Sequence, residues 1–160
     1  METLDLKLIG GTVVSGQGKR RADVGVKAGR IQIIDDDLSA HPATKTVDIS
    51  GRLLLPGVID VHVHPVYTDN IEQSSRVAAF GGTTTLLHFI YARTGEDLVP
   101  SVEKYLEEGE KTSRLDFGIH CGLFEAPKQV PQIKDVLKLG VRSFKFFMTY
   151  LKQGLYNDDY

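Results

Sequence analysis

Cysteine is nearly missing from this chain of 160 residues: Cys121 stands alone. A lone cysteine rules out an internal disulfide and suits a reducing compartment, so the expected location is cytoplasmic. Excess charge is also missing, with 19 basic and 21 acidic residues, a formal net charge of -2 and a pI near 6.2. Nothing there draws the chain toward nucleic acid or an anionic membrane. No apolar run approaches the roughly 18 to 20 residues of a membrane span. The opening stretch, METLDLKLIGG, lacks the basic start and apolar core of a signal peptide. What is present, 41% hydrophobic and 25% charged residues, is the composition of a globular protein.

The chain changes rhythm near residue 55. Before it, short β-like runs alternate with turn signals: LKLIGGTVV, ADVGVKAGRIQIID and TVDISGRLLL. Lys27-Ala28-Gly29-Arg30 reads as a hairpin turn, with glycine where a positive φ is needed. Residues 1–55 are expected to form a small β-sandwich segment. From residue 56 the order becomes strand, helix, strand, helix. A strand over 57–64 precedes Asp69 and Glu72, which have capping-box spacing. That helix should stop at Gly81-Gly82. TTTLLHFIY (83–91) reads as a buried strand. A helix follows, with Leu98, Val102, Tyr105 and Leu106 on one face and Pro100 in its first turn. RLDFGIHCG (114–122) is a third strand, and a third helix carries Ile133, Val136 and Leu137 to Gly140. VRSFKFFMTY (141–150) is a fourth strand, and Asn157-Asp158-Asp159-Tyr160 resembles a helix start. Alternation of this kind implies parallel βαβ units.

Four units make either half of an eight-fold barrel or a small open doubly wound sheet. The half barrel is preferred, because polar residues gather where a barrel keeps its site, at the carboxyl ends of the strands. They are His62 and His64, His88, His120, and Lys145 to Tyr150. In LLLPGVIDVHVHP (53–65), period-2 alternation puts Ile59, Val61 and Val63 on one face and Asp60, His62 and His64 on the other. An apolar face backing an ionisable one suits a strand that lines a polar cavity. Lys145 is the second anomaly, since lysine in an apolar strand must pay to be desolvated. A desolvated lysine gives up its proton, and the neutral amine can take up carbon dioxide to become a carbamate with two oxygens.

Two stretches then carry a resemblance. Pro56-Gly57-Val58-Ile59-Asp60-Val61-His62-Val63-His64 resembles the Asp-x-His-x-His signature of the amidohydrolase superfamily. Gly140-Val141-Arg142-Ser143-Phe144-Lys145-Phe146-Phe147-Met148-Thr149-Tyr150 resembles the carboxylysine strand of its hydantoinase and dihydropyrimidinase branch, which also commonly has a stretch like Gly81-Gly82-Thr83-Thr84. The resemblance implies an α/β fold: a metal-dependent (β/α)8 TIM-like barrel, of which residues 56–160 are the first four units, behind the β-sandwich segment. It implies two divalent metal ions, typically zinc. His62, His64 and a carbamylated Lys145 would be ligands, Lys145 bridging the ions, and Tyr150 would hydrogen-bond the developing oxyanion on the substrate. The implied reaction opens a small cyclic amide, a hydantoin or dihydropyrimidine-like ring, by attack of a metal-bridged hydroxide. The full-length protein would be a homotetramer or homodimer. Two further histidines and a proton-shuttling aspartate would lie beyond residue 160, so the 160 residues alone are expected to be inactive.

The remaining candidates read more plainly. His88 and His120 suit hydrogen-bonded core positions, or support of ligands, better than ligation itself. Cys121 suits a small buried hydrophobe, His41 a polar loop, and the role of Asp60 stays open. Two departures bear on substrate. Pro65-Val66-Tyr67-Thr68-Asp69 replaces the longer glycine-rich loop of many hydantoinases, and His88 stands where the branch often carries an acid. Allantoinase-type and dihydroorotase-type chemistry are the alternatives within the enzyme class. Collapsin-response-mediator proteins, non-catalytic scaffolds of the same fold, form another class. They lack the histidine pair and the lysine that this sequence keeps.

Overall fold

The computed structural model describes residues 2–67, 69–153 and 157. The chain divides into two compact units, Met1–Pro56 and Gly57–Tyr160.

The first unit is built of β-strands: β1 (Leu4–Ile9), β2 (Thr12–Ser15), β3 (Gly18–Arg21), β4 (Asp23–Lys27), β5 (Arg30–Asp35), β6 (Ala43–Asp48) and β7 (Leu53–Leu54). They form a four-stranded sheet in the order β5-β4-β1-β6 and a three-stranded sheet β3-β2-β7. The β4–β5 turn has positive φ at both Ala28 (49°) and Gly29 (71°), the pairing that matches a hairpin's right-handed twist. β3, Gly-Lys-Arg-Arg, has no apolar residue and so gives no periodic signal; pairing with β2 alone makes it a strand.

The second unit holds β8 (Val58–Val63), α1 (Ile71–Phe80), β9 (Thr83–Ala92), α2 (Leu98–Thr112), β10 (Asp116–Leu123), α3 (Ala126–Gln129), α4 (Ile133–Val136) and β11 (Ser143–Phe146). β8 to β11 form one parallel sheet in the order β11-β10-β9-β8, curled as part of a barrel. Each strand pairs in parallel with the next in sequence, as in a run of successive βαβ units. Ile90, Ala92, Leu98, Val102, Ile119, Cys121, Leu123, Val136 and Val141 make the core between sheet and helices. Cys121 is fully buried there, and burial pushes its thiol up to about 12. Among the described residues no helix is long and apolar enough to cross a membrane.

Four expectations change. The cap of α1 is Asn70, whose Oδ1 accepts from the Gln73 amide, in place of the Asp69–Glu72 pair. The third helix is two short α-turns joined by one 3-10 turn and followed by another that ends at Gly140, because Pro131, inside the run, has no amide to sustain a continuous ladder. The fourth strand ends at Phe146, and the chain has turned away by Tyr150, whose φ is 65°. Finally, apolar residues of β8 are uncovered: Ile59 is 60% and Val61 58% exposed, β8 being an edge strand of its sheet. The helix start expected at 157–160 lies outside the described residues, except for Asn157.

Candidate metal centre

β8 and β9 do not stay in step. Asp60 registers with Leu86 and Val63 with His88, so β8 absorbs one extra residue between them. The Asp60 carboxylate accepts from the His62 amide at 3.1 Å, satisfying a donor that the irregularity frees from the ladder. Asp60 therefore shares the side of Leu86 and His88, which corrects the expected Asp60-His62-His64 face.

His62 and His64 do converge: their Nε2 atoms lie 2.9 Å apart. Both rings rest on Phe89, with centroids 4.5 Å and 4.7 Å from its own. His120, the register partner of Phe89 on β10, stacks on the same ring at 4.8 Å. The Lys145 ammonium sits 4.9 Å above it and 4.8 Å from the Phe147 ring. Phe89 is thus a common floor for three histidines and the lysine. Parity explains it, since Phe89 is on the inner face of β9 and its neighbour His88 on the outer. Lys145 is half-buried, less than its apolar neighbours in sequence suggest. His120 reaches the Val61 carbonyl with Nε2 at 2.9 Å, while its Nδ1 hydrogen-bonds Ser143, so both its nitrogens are occupied.

Tyr150 stands apart from this group. It is exposed and edge-on to Phe147 at 5.9 Å, with its carbonyl accepting from the Gln153 amide. Two residues that sequence reasoning missed complete the rim. Tyr91 places its hydroxyl 2.8 Å from His64 Nδ1, and Tyr67, on the short turn Pro65–Tyr67, lies 5.5 Å from the His64 ring. The signal for Tyr91 was its parity with Phe89.

Burial, and then the charges of His62 and Lys145, hold His64 below the ordinary histidine range. It is therefore neutral and able to ligate at neutral pH. At a Zn–N distance of about 2.0–2.1 Å, nitrogens 2.9 Å apart subtend roughly 90° at a shared ion. The histidine pair fits a metal ion. Among the described residues no group of three or more His, Cys, Asp or Glu is assembled, so the histidine pair is the donor set brought together here. A pocket of about 680 Å³ opens elsewhere, between the start of α1 and α2, and excludes His62, His64 and Lys145.

His88 belongs to the other face. It is fully buried, with Nδ1 2.9 Å from the Tyr105 hydroxyl and no partner for Nε2 among the described residues. Burial pushes it below the ordinary value of 6.5, with the Asp60 charge opposing. Below that value the unfolded chain binds more protons than the fold does, so stability falls as pH drops. The metal-free full-length protein is expected to lose melting temperature from pH 7 to 5, and His88→Phe to flatten that slope. Parallel slopes would show that His88 contributes nothing to it.

No family model matches the chain. It is similar to a D-hydantoinase from Ralstonia pickettii, 34% identical over 97% of this chain and 35% of that protein. An allantoinase from Deinococcus radiodurans is also 34% identical, over 92% of this chain and 34% of the relative. Among solved structures, a D-hydantoinase superposes with a TM-score of 0.88 at 33% identity, covering 98% of this chain and 35% of that one. A dihydropyrimidinase from Brevibacillus agri gives 0.86 at 31% identity, covering 96% and 35%. The chain thus spans about a third of the length of these relatives. With this likeness added to the parallel half-barrel sheet, the chain belongs to the hydantoinase/dihydropyrimidinase branch of the amidohydrolase superfamily.

Proposed function

We propose that the full-length protein is a metal-dependent hydrolase that opens a cyclic amide of the hydantoin or dihydropyrimidine type. In this reading residues 1–55 are a β-sandwich segment, and residues 56–160 are the first four units of a complete (β/α)8 barrel. The observation that carries it is the convergence of His62 and His64 over Phe89, with Lys145 on the same floor.

His62 and His64 would hold one divalent ion through Nε2, zinc being the ion whose usual ligands these are. Lys145 adds as the neutral amine to carbon dioxide: an N–C bond forms, one proton leaves, and the nitrogen gains a carboxylate able to span two ions. When bound, the ions polarise the ring carbonyl and make a water nucleophilic at neutral pH. Tyr150 donates its hydroxyl to the oxygen on which charge develops. Its positive φ, one of two among non-glycine residues described, marks backbone held out of its ordinary region at a rim position. Tyr67, Tyr91, Phe124 and Phe147 line that rim with rings and suit the flat faces of a small heterocycle.

The names of the relatives cover hydantoinase, dihydropyrimidinase and allantoinase, all of which fit this class. In the full-length protein, alanine at His62 or at His64 should lower the metal content and reduce turnover by more than about a hundred-fold, beyond the loss typical of residues that merely support a ligand. Metal analysis beside an assay on hydantoin, dihydrouracil and allantoin tests this. Full metal and full turnover in both variants would sink the reading.

A further inference from the structure

We propose that Tyr91 is a positioning residue that keeps the His64 proton on Nδ1 and so leaves the Nε2 lone pair free for a metal ion; this rests on the metal-binding reading above. A neutral imidazole carries one proton, and the tautomer is set by what the other nitrogen meets. For His64 that partner is the Tyr91 hydroxyl at 2.8 Å. A hydroxyl can donate or accept, so this contact alone leaves the direction open. Ligation settles it: a neutral imidazole that gives its Nε2 lone pair to a metal ion must keep its one proton on Nδ1, and the Tyr91 oxygen is the acceptor placed to receive it. His64 Nε2 then faces His62 Nε2 as a bare lone pair.

The Tyr91 ring is held where this requires. It lies almost parallel to the His64 ring, at 9°, and is flanked by Phe124 at 5.1 Å and Phe147 at 6.0 Å. Beneath it is Gly122, where any Cβ would collide with the ring. Glycine at this strand position leaves the space that a tyrosine at 91 needs. The short turn after His64 supplies the last part, bringing Tyr67 to 6.3 Å from Tyr91. A hydroxyl fixed by its packed ring and hydrogen-bonded to the far nitrogen of a histidine is the kind of support that orients a ligand.

The test uses the full-length protein and zinc alone. Tyr91→Phe keeps the ring and removes the hydroxyl. It should weaken zinc affinity, measured by chelator competition, by about ten-fold or more. In the metal-free protein it should also move the His64 ring 15N shifts away from the Nδ1–H tautomer, which a purely structural role would not do. Gly122→Ala should act in the same direction by displacing the ring. If His64→Ala loses zinc while Tyr91→Phe keeps wild-type affinity and the wild-type His64 tautomer, the role of Tyr91 is overturned. If His64→Ala keeps its zinc, the metal reading fails first, and the proposal falls with it.

Discussion

Lys145→Ala in the full-length protein is expected to lose at least about a thousand-fold in turnover, a barrier increase of about 4 kcal/mol. Among the described residues the Lys145 ammonium faces two aromatic rings and no carboxylate, and its charge already acts against protonation of His64. A cation there repels the ions that the histidines would hold, whereas a carbamate attracts them. Short-chain carboxylic acids should restore part of the activity of the alanine variant by supplying the missing oxygens. Lys145→Arg should stay inactive, since guanidinium keeps its proton and cannot take up carbon dioxide. In metal-loaded crystals of the native protein, density should run past Nζ by one carbon and two oxygens. A bare amine in such crystals, or an arginine variant of normal activity, would remove the bridging role.

Residues 1–160 expressed by themselves are expected to associate or remain partly unfolded. Ile59 and Val61 are exposed on β8 at 60% and 58%, and Val77 and Phe80 on α1 at 70% and 88%. Each such side chain left in water forgoes about 1.5–3 kcal/mol of burial. β8 and β11 are also both sheet edges, with backbone groups free to pair with another copy. Light scattering should show a species that grows with concentration, and heating should give a broad transition. A monomer that melts cooperatively would mean that these 160 residues need no further barrel strands to cover them.

Much of this architecture was readable because local signals agreed with tertiary packing. The four parallel strands follow their apolar runs, and α1 does stop before Gly82, whose φ is 85°. The convergence of His62 and His64 follows from simple alternation. The same rule failed one residue pair earlier, because a register shift belongs to the pairing of β8 with β9 and leaves no mark in either sequence alone. His88 shows the complementary limit. Its place in the second parallel strand was legible, though β9 runs on to Ala92 and leaves it at mid-strand instead of the carboxyl end, and parity with Phe89 sends it under α2 to Tyr105. The third helix carries Ile133, Val136 and Leu137 to Gly140 as expected, but as short turns, for a reason visible in the sequence: Pro131. Tyr91 and Tyr67 were hidden because an aromatic residue in or after a strand reads first as packing.

The short α3 turn carries a residue whose influence runs well beyond its own element. The buried Gln129 side chain donates to the carbonyls of Ala92, Arg93 and Glu96 and accepts from the Glu125 amide, while Gln132 accepts from the amides of Leu98 and Val99. These bonds join the loop after β9 to the segment after β10, so neither can open without breaking the other's hydrogen bonds. In native-state hydrogen exchange the amides of Leu98 and Glu125 should therefore be released by one shared opening event. That makes the 93–97 and 125–132 side of the rim a single cooperative block.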